Sequence, residues 1–274
     1  RRALEIRAAS FGPAHPSVLE GRINLAIVML QLGRQDEAVA LLEAAERHAE
    51  GAEARIRVEL LVMLGGVRLE QGRFEAADAT LRRALAEAHA AWPADDPRAL
   101  QVLANLSNLA NRRERWAEAE QLAREGLRTV EGSSREAMGM VEGYLQLNLG
   151  DTLSEQGRHV EAVPAYEAAL AKMEANLGPE HPHLHAPLLG LGQCLVRAGE
   201  AARAEPLLRR ALALAAGVDA LSRGATRFEL AKAQWELGEH DESRTLAEQA
   251  LTDYADADPH NREQIGQWLR AHPP

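Results

Sequence analysis

Three closely spaced histidines are the first residues in this sequence whose side chains could bind a metal ion. His181, His183 and His185 alternate along the chain, and imidazole nitrogens are common ligands of transition metals. Residues two apart point to different faces of a helix, so a helix beginning here would separate the three rings. A His-Pro pair also occurs at His15-Pro16, which indicates a linker element and not a metal site.

Two further groups of reactive side chains are interpreted as structural. Asp253, Asp256 and Asp258 lie close together, but the Gly and the bidentate Glu of a calcium-binding loop are missing around them. Cys194 lies three residues after a leucine, as Val28 does, which predicts a core position for both. No phosphate-binding G-x-x-x-x-G-K-[ST] loop, H-E-x-x-H helix or nucleophile elbow occurs. We therefore predict no catalytic residue, no metal and no cofactor, although a catalytic domain could lie upstream.

Asparagine recurs immediately before a leucine and offers a different kind of chemistry. Asn24, Asn105 and Asn148 each precede a leucine that is followed by a small residue. A side-chain amide both donates and accepts hydrogen bonds, so these residues could bind the backbone of a peptide without selecting its side chains. The alternative is that each amide caps or bridges neighbouring helices.

The composition favours closely packed helices as the elements that position these side chains. Of the 274 residues, 46% are hydrophobic but only 4% are aromatic, so the apolar content is mainly Ala and Leu. The net charge of −10 opposes binding to nucleic acid or to an anionic membrane surface. No apolar run reaches the length of a membrane span, and a single cysteine rules out an internal disulfide framework. These features predict a cytoplasmic protein.

An internal repeat organises the whole sequence. A turn-like segment, usually Gly followed by Arg or Glu, recurs at intervals of 39 to 43 residues. Each is preceded by a leucine, which we predict fills the gap between hairpins, and by a small residue, which lets another helix approach closely. Each is followed by small and large apolar residues spaced as on one helical face, for example Ala77, Leu81, Ala84 and Leu85. The six leucine pairs are Leu25-Ala26, Leu64-Gly65, Leu106-Ser107, Leu149-Gly150, Leu191-Gly192 and Leu230-Ala231.

As a set, these features resemble the tetratricopeptide repeat. The repeat length and the segments 11–16 and 177–182, each containing Gly-Pro and His-Pro, resemble the subclass found in kinesin light chains and bacterial signalling proteins. The sequence departs from the pattern at Arg22 and Arg227, and at Glu114, which replaces a turn glycine. The resemblance implies an all-α fold, a right-handed superhelical solenoid of helix-turn-helix repeats.

The repeat pattern predicts one continuous array over residues 1–274. Residues 1–16 are interpreted as the second helix of a truncated repeat with its linker, and residues 259–274 as a capping helix. We expect the chain to be the C-terminal part of a longer protein. Six repeats are predicted between these ends, over residues 17–51, 52–96, 97–132, 133–182, 183–217 and 218–258.

In this family, the first helices of the hairpins line a concave groove, so the resemblance implies a binding site for a protein or an extended peptide. Glu20, Glu59 and Gln101 stand where a carboxylate clamp would need basic residues, so binding of a chaperone tail is disfavoured. The predicted groove residues are Asn24, Asn105, Asn108, Arg112, Asn148, Asp151, Gln193 and Arg197.

Three functions remain open at this point. The first is a non-catalytic scaffold that binds a protein or peptide. The second is a regulatory or sensor array of a bacterial signalling protein, whose kinase or DNA-binding domain lies upstream. The third is a structural array that self-associates through its open N-terminal end, which would give concentration-dependent oligomers.

Overall fold

A computed structural model of the chain describes residues 2–131, 138–215, 219–254 and 258–273. Asp256 and the predicted repeat boundaries at 132–133 and 217–218 lie outside these ranges. The described residues form helices joined by short connections, together with a 3-10 turn at Pro182–Leu184. The helices are α1 (Arg2–Phe11), α2 (Pro16–Gln31), α3 (Gln35–Glu46), α4 (Ala54–Glu70), α5 (Phe74–Ala91), α6 (Pro97–Arg112), α7 (Trp116–Glu131), α8 (Gly139–Glu155), α9 (His159–Leu177), α10 (His185–Arg197), α11 (Ala201–Leu214), α12 (Ala220–Glu236), α13 (His240–Tyr254) and α14 (Pro259–Ala271).

The helices form two compact units, residues 1–135 and 136–274. In unit 1, α2 pairs with α3, α4 with α5 and α6 with α7, and α1 packs on α2. In unit 2, α8 pairs with α9, α10 with α11 and α12 with α13, and α14 packs on α13. Within each unit, the first helix of a hairpin also contacts the first helix of the next. The predicted all-α solenoid of helical hairpins is therefore confirmed.

The small residue after each leucine allows the two helices of a hairpin to approach closely. A Cβ atom placed on Gly65 would lie 2.6 Å from Leu81 Cδ2, and one on Gly192 would lie 2.5 Å from Leu208 Cδ2. In the third hairpin the equivalent residue is Ser107, whose hydroxyl donates to the carbonyl of Ala119 at 2.9 Å. Any larger side chain at these positions would push the paired helices apart.

The turns between paired helices require a left-handed backbone. In five of the hairpins this residue is glycine, with φ between 70° and 85°. Glu114 occupies the same place in the third hairpin with φ 57°. A side chain in this region costs about 1–2 kcal/mol, so the third turn is less stable than it would be with glycine at position 114.

Helix starts explain the repeated His-Pro pairs. His15 Nδ1 accepts a hydrogen bond from the backbone N–H of Ser17 at 3.2 Å, and His181 Nδ1 accepts one from His183 N–H at 3.2 Å. Each histidine is thus an N-cap followed by a proline, a residue that suits the first helical position because it lacks an N–H.

Two predictions about the N-terminal hairpin need correction. Val28 was expected in the core, but it is 45% exposed, and Leu25 is only partly buried. Cys194, at the same place as Val28 in its own repeat, is fully buried because α8 packs against α10. The helices that pack most extensively on α2 are α1, α3 and α4, and they leave Val28 exposed. No helix in the described ranges combines the length and apolar character needed to cross a membrane.

Candidate functional site

Two cavities lie side by side on the first helices of unit 1. The first cavity has a volume of about 440 Å³ and lies between α4 and α6. The second cavity, of about 460 Å³, lies further along the same two helices and also touches the end of α2. Met63 borders both. The first cavity is lined by Arg55, Val58, Glu59, Val62, Met63, Pro97, Arg98 and Gln101, and the second by Leu30, Gln35, Met63, Gly66, Val67, Leu69, Glu70, Asn105 and Asn108.

One wall of these cavities is a row of side-chain amides on α6. Gln101, Asn105 and Asn108 follow one another at intervals of four and three residues, which places them on one face of the helix. All three are half-buried. None of the three amides forms a hydrogen bond with another residue in the described part of the chain. They are therefore available to bind a ligand.

The charged residues around the cavities are paired within the protein. Arg55 contacts Glu20 at 2.5 Å and Glu59 at 3.5 Å. Arg98 contacts the N-cap Asp96 at 2.8 Å and lies over the ring of Trp92, 3.7 Å from its centre. At the far end of the second cavity, Arg112 contacts Glu70 at 2.9 Å. No charge lining either cavity is left uncompensated by the described residues.

The predicted groove residues of unit 1 are only partly brought together. Asn105 and Asn108 line the second cavity, and Arg112 reaches its edge through Glu70. Asn24 is exposed on α2 and lines neither cavity. Met63, which the sequence analysis did not select, occupies the position on α4 that Asn24 holds on α2. A large apolar residue in place of an amide was the signal that could have identified it.

In unit 2, Tyr166 on α9 contacts one of the predicted residues, Asp151. Asn148 is only 7% exposed. The Tyr166 hydroxyl donates to Asp151 Oδ1 at 2.8 Å. Its ring fits because α10 has a glycine at position 190, where a Cβ atom would lie 2.5 Å from Tyr166 Cε1. Gln193 is half-buried and Arg197 is exposed, both on α10.

Burial changes the titration of the Asp151–Tyr166 pair. Burial raises the pKa of Asp151 to about 6, against the opposing effect of the Tyr166 hydrogen bond, and Glu155 adds to the rise. Burial and the neighbouring Asp151 also raise the pKa of the Tyr166 phenol. The carboxyl group of Asp151 therefore gains or loses a proton in a range where ordinary aspartates are ionised.

Replacing Asp151 with Asn should change how stability depends on pH. A folded-state pKa above the unfolded value favours folding below pH 4, and this contribution is lost as the pH rises to about 6. We expect Asp151→Asn to melt close to the parent protein at pH 4 and to be more stable by about 2–3 kcal/mol at pH 7. Thermal melts between pH 4 and pH 7.5 would measure this, and a constant difference between the two proteins would contradict it.

The other chemically suggestive residues have structural partners. The buried His185 Nε2 lies 2.8 Å from Thr226 Oγ1, and burial lowers the pKa of its imidazole. Asp253 accepts hydrogen bonds from Arg223 and Arg227. Cys194 Sγ donates to Ser154 Oγ at 3.6 Å, and burial raises the pKa of the thiol.

No group of three His, Cys, Asp or Glu side chains with metal-binding geometry occurs in the ranges that the structure covers.

The sequence matches models of a known repeat family. Two sequence models, both described as tetratricopeptide repeat, together match most of the chain. The first matches residues 1–51, 142–217 and 186–256, and the second matches residues 62–134. A comparison with curated proteins gives no match.

Solved structures with the same fold come from proteins of low sequence identity. The Pseudomonas aeruginosa protein pilF superimposes with a TM-score of 0.65 at 17% identity, covering 93% of this chain and 97% of pilF. BtubC (BKLC) from P. vanneervenii gives 0.62 at 19% identity, covering 88% and 93%. NprR, solved in complex with its cognate peptide NprX, gives 0.60 at 15% identity, covering 93% and 72%. At these identities the likeness concerns the fold.

Proposed function

Because this chain belongs to the tetratricopeptide repeat family, we propose that it is a non-catalytic scaffold that binds a protein or an extended peptide on its first helices. The observation that carries this proposal is the pair of amides, Asn105 and Asn108, which have no hydrogen-bond partner among the described residues and lie on the wall of a largely apolar cavity. Such a combination of a few polar groups with an apolar cavity is typical of binding sites.

The cavity and the amides would contribute in different ways. An apolar side chain that enters the cavity leaves water, which contributes about 1.5–3 kcal/mol when burial is complete. Each amide can donate to a backbone carbonyl and accept from a backbone N–H of the partner. The net contribution of such a bond is about 0.5–1.5 kcal/mol. Together these terms favour a segment whose backbone groups are not already paired.

The presence of a peptide in the NprR structure supports this function, because that protein has the same fold. We keep Asn24 as a proposed binding residue in unit 1, and Asn148, Asp151, Gln193 and Arg197 as proposed binding residues in unit 2. We also propose the division into six repeats with a capping helix.

A second candidate function is a regulatory or sensor array in a bacterial signalling protein of the cytoplasm, similar in subclass to kinesin light chains. The linker segments 11–16 and 177–182 favour it. Expression of a longer gene product, followed by an assay for kinase activity or DNA binding with and without the array, would test this candidate.

Replacing both Asn105 and Asn108 with Ala should weaken peptide binding without unfolding the protein. Peptides selected from a phage-displayed random 12-residue library against the full chain would serve as ligands. We expect their affinity to fall about tenfold or more, because two hydrogen bonds are lost. The melting temperature should stay within about 2 °C, since neither side chain is in the core.

The matched control is Gln121→Ala, which removes an exposed amide from α7, the second helix of the same hairpin. This variant should bind the selected peptides like the parent protein. Selection of no peptide at all, or equal losses in both variants, would contradict the proposed function.

A further inference from the structure

We infer that unit 1 takes an uncharged, extended segment that lies along the groove between α4 and α6, with two apolar side chains three or four residues apart. This α4–α6 groove consists of the first cavity, the second cavity and Met63 between them. The inference rests on the proposed function and specifies the chemistry of the partner.

The distance between the two cavities determines how far apart the partner's two apolar side chains must be. The residues that line the second cavity lie about seven to eight positions further along α4 and α6 than those of the first. At 1.5 Å per residue, this separates the cavities by about 11 Å. An extended chain advances about 3.3–3.6 Å per residue, and polyproline II about 3.1 Å. Two side chains three or four residues apart therefore fit the two cavities.

The floor of the groove selects apolar side chains. The first cavity is lined by the apolar side chains of Val58, Val62 and Met63. The second cavity is lined by those of Val67 and Leu69. Met63 is half-buried, and an unbranched thioether adapts its shape to the side chains on either side. Both cavities therefore gain most from aliphatic occupants.

The charges around the groove argue against a charged partner. Arg55, Glu59, Arg98 and Glu70 each already contact an opposite charge within the chain. A carboxylate or ammonium group entering either cavity would lose water and find no uncompensated charge to replace it. The groove is thus complementary to neutral side chains.

The amide row favours an extended backbone that runs parallel to α6. Gln101, Asn105 and Asn108 follow the direction of the groove and have no partners among the described residues. A helical partner has its backbone groups paired internally, so it could not use these amides. A peptide that crossed the first helices from Asn24 on α2 to Asn105 on α6 would pass Met63 on α4, which has no amide to bind the peptide backbone. The groove therefore offers its backbone ligands along α6.

Designed peptides would test the inference directly. Fluorescein-labelled 12-residue peptides of Gly and Ser would carry either one Leu or two Leu residues separated by two, three, four or six positions. Fluorescence anisotropy with the full chain would measure their affinity. We expect the spacings of three and four to bind about tenfold or more tighter than the others, because only they fill both cavities. Exchange of one Leu for Glu or Lys should remove that gain.

A variant that fills the second cavity provides an independent measurement. A Cβ atom at Gly66 meets nothing within 4 Å, so Gly66→Leu can occupy the cavity without disturbing the core. The two-leucine peptides should then bind no better than the one-leucine peptide. The control, Ala79→Leu, adds the same side chain at an exposed position on α5 and should change nothing.

The outcomes separate this inference from the function on which it rests. Equal affinity at all spacings, tighter binding of the charged peptides, or no effect of Gly66→Leu would each overturn the inference. If library-selected peptides bind and depend on Asn105 and Asn108 while the two-leucine peptides do not bind, the proposed function stands and the inference fails. If neither set binds, both fail.

Discussion

Replacing Leu149 with Asp is expected to destabilise unit 2 by about 3–5 kcal/mol. Leu149 lies on α8, is 6% exposed, and precedes the small residue that packs against the second helix of its hairpin. A carboxylate at this position would lose its hydration without gaining a partner, and the apolar contacts of the leucine would be lost as well. The melting temperature should fall by on the order of 10 °C, as followed by circular dichroism.

The control for this prediction is a charge of the same kind on an exposed site. Val160 is 76% exposed and lies in the first turn of α9, where an acidic side chain interacts favourably with the helix dipole. Val160→Asp should leave the melting temperature unchanged or raise it slightly. A Leu149→Asp protein that melts within about 2 °C of the parent would show that the assignment of this leucine to the core is wrong.

Replacing either of two neighbouring glycines on α4 with alanine should change the stability of the protein in opposite directions. In Gly65→Ala the new methyl group would lie 2.6 Å from Leu81 Cδ2 and 2.7 Å from its Cγ. Leu81 is fully buried, so it cannot move away without disturbing the core of unit 1. We expect a loss of about 1–3 kcal/mol, measured by chemical denaturation.

Gly66→Ala is the matched partner of that experiment. Its Cβ atom would meet nothing within 4 Å, and alanine is about 0.8–1 kcal/mol more favourable than glycine inside a helix. This variant should therefore be more stable than the parent protein. If both substitutions stabilise, the close approach of α4 and α5 does not exist in solution. If both destabilise, the open space beside Gly66 does not exist.

The two units could respond differently to a substitution in a denaturation experiment. Each unit has its own set of packed hairpins, so a substitution in the core of one unit is expected to destabilise that unit first. Solenoids are stabilised mainly by neighbouring repeats, and their unfolding can lose cooperativity. Denaturation of Leu149→Asp and Gly65→Ala should therefore be followed with probes in both units.

The fold could be predicted from the sequence because the residues that specify it lie close together within each repeat. The pairing of a leucine with a small residue recurs in every hairpin, and five of the six leucines are buried as predicted. The turn glycines have positive φ, which glycine adopts without steric cost. Leu25 and Val28 were misjudged because their burial depends on whether a helix packs on the outer side of α2, which their own repeat does not encode.

The candidate site was much less accessible. Asn105 and Asn148 hold the same place in their repeats, yet Asn105 lines a cavity while Asn148 is 7% exposed. Tyr166 reaches Asp151 only because glycine is present at position 190 of the next hairpin. Both facts depend on side chains from other hairpins, so the repeat pattern alone could not predict them.

The sequence by itself determined that this chain is an array of helical hairpins, because apolar periodicity and turn glycines act over a few residues and recur in each repeat. Only the tertiary structure decided where cavities form on the first helices of unit 1. The two cavities are lined by residues of α4 and α6 that lie about 40 positions apart in the chain, so they depend on how these two helices pack together. Packing of that kind depends on the volumes of several side chains at once, and no single repeat contains them all.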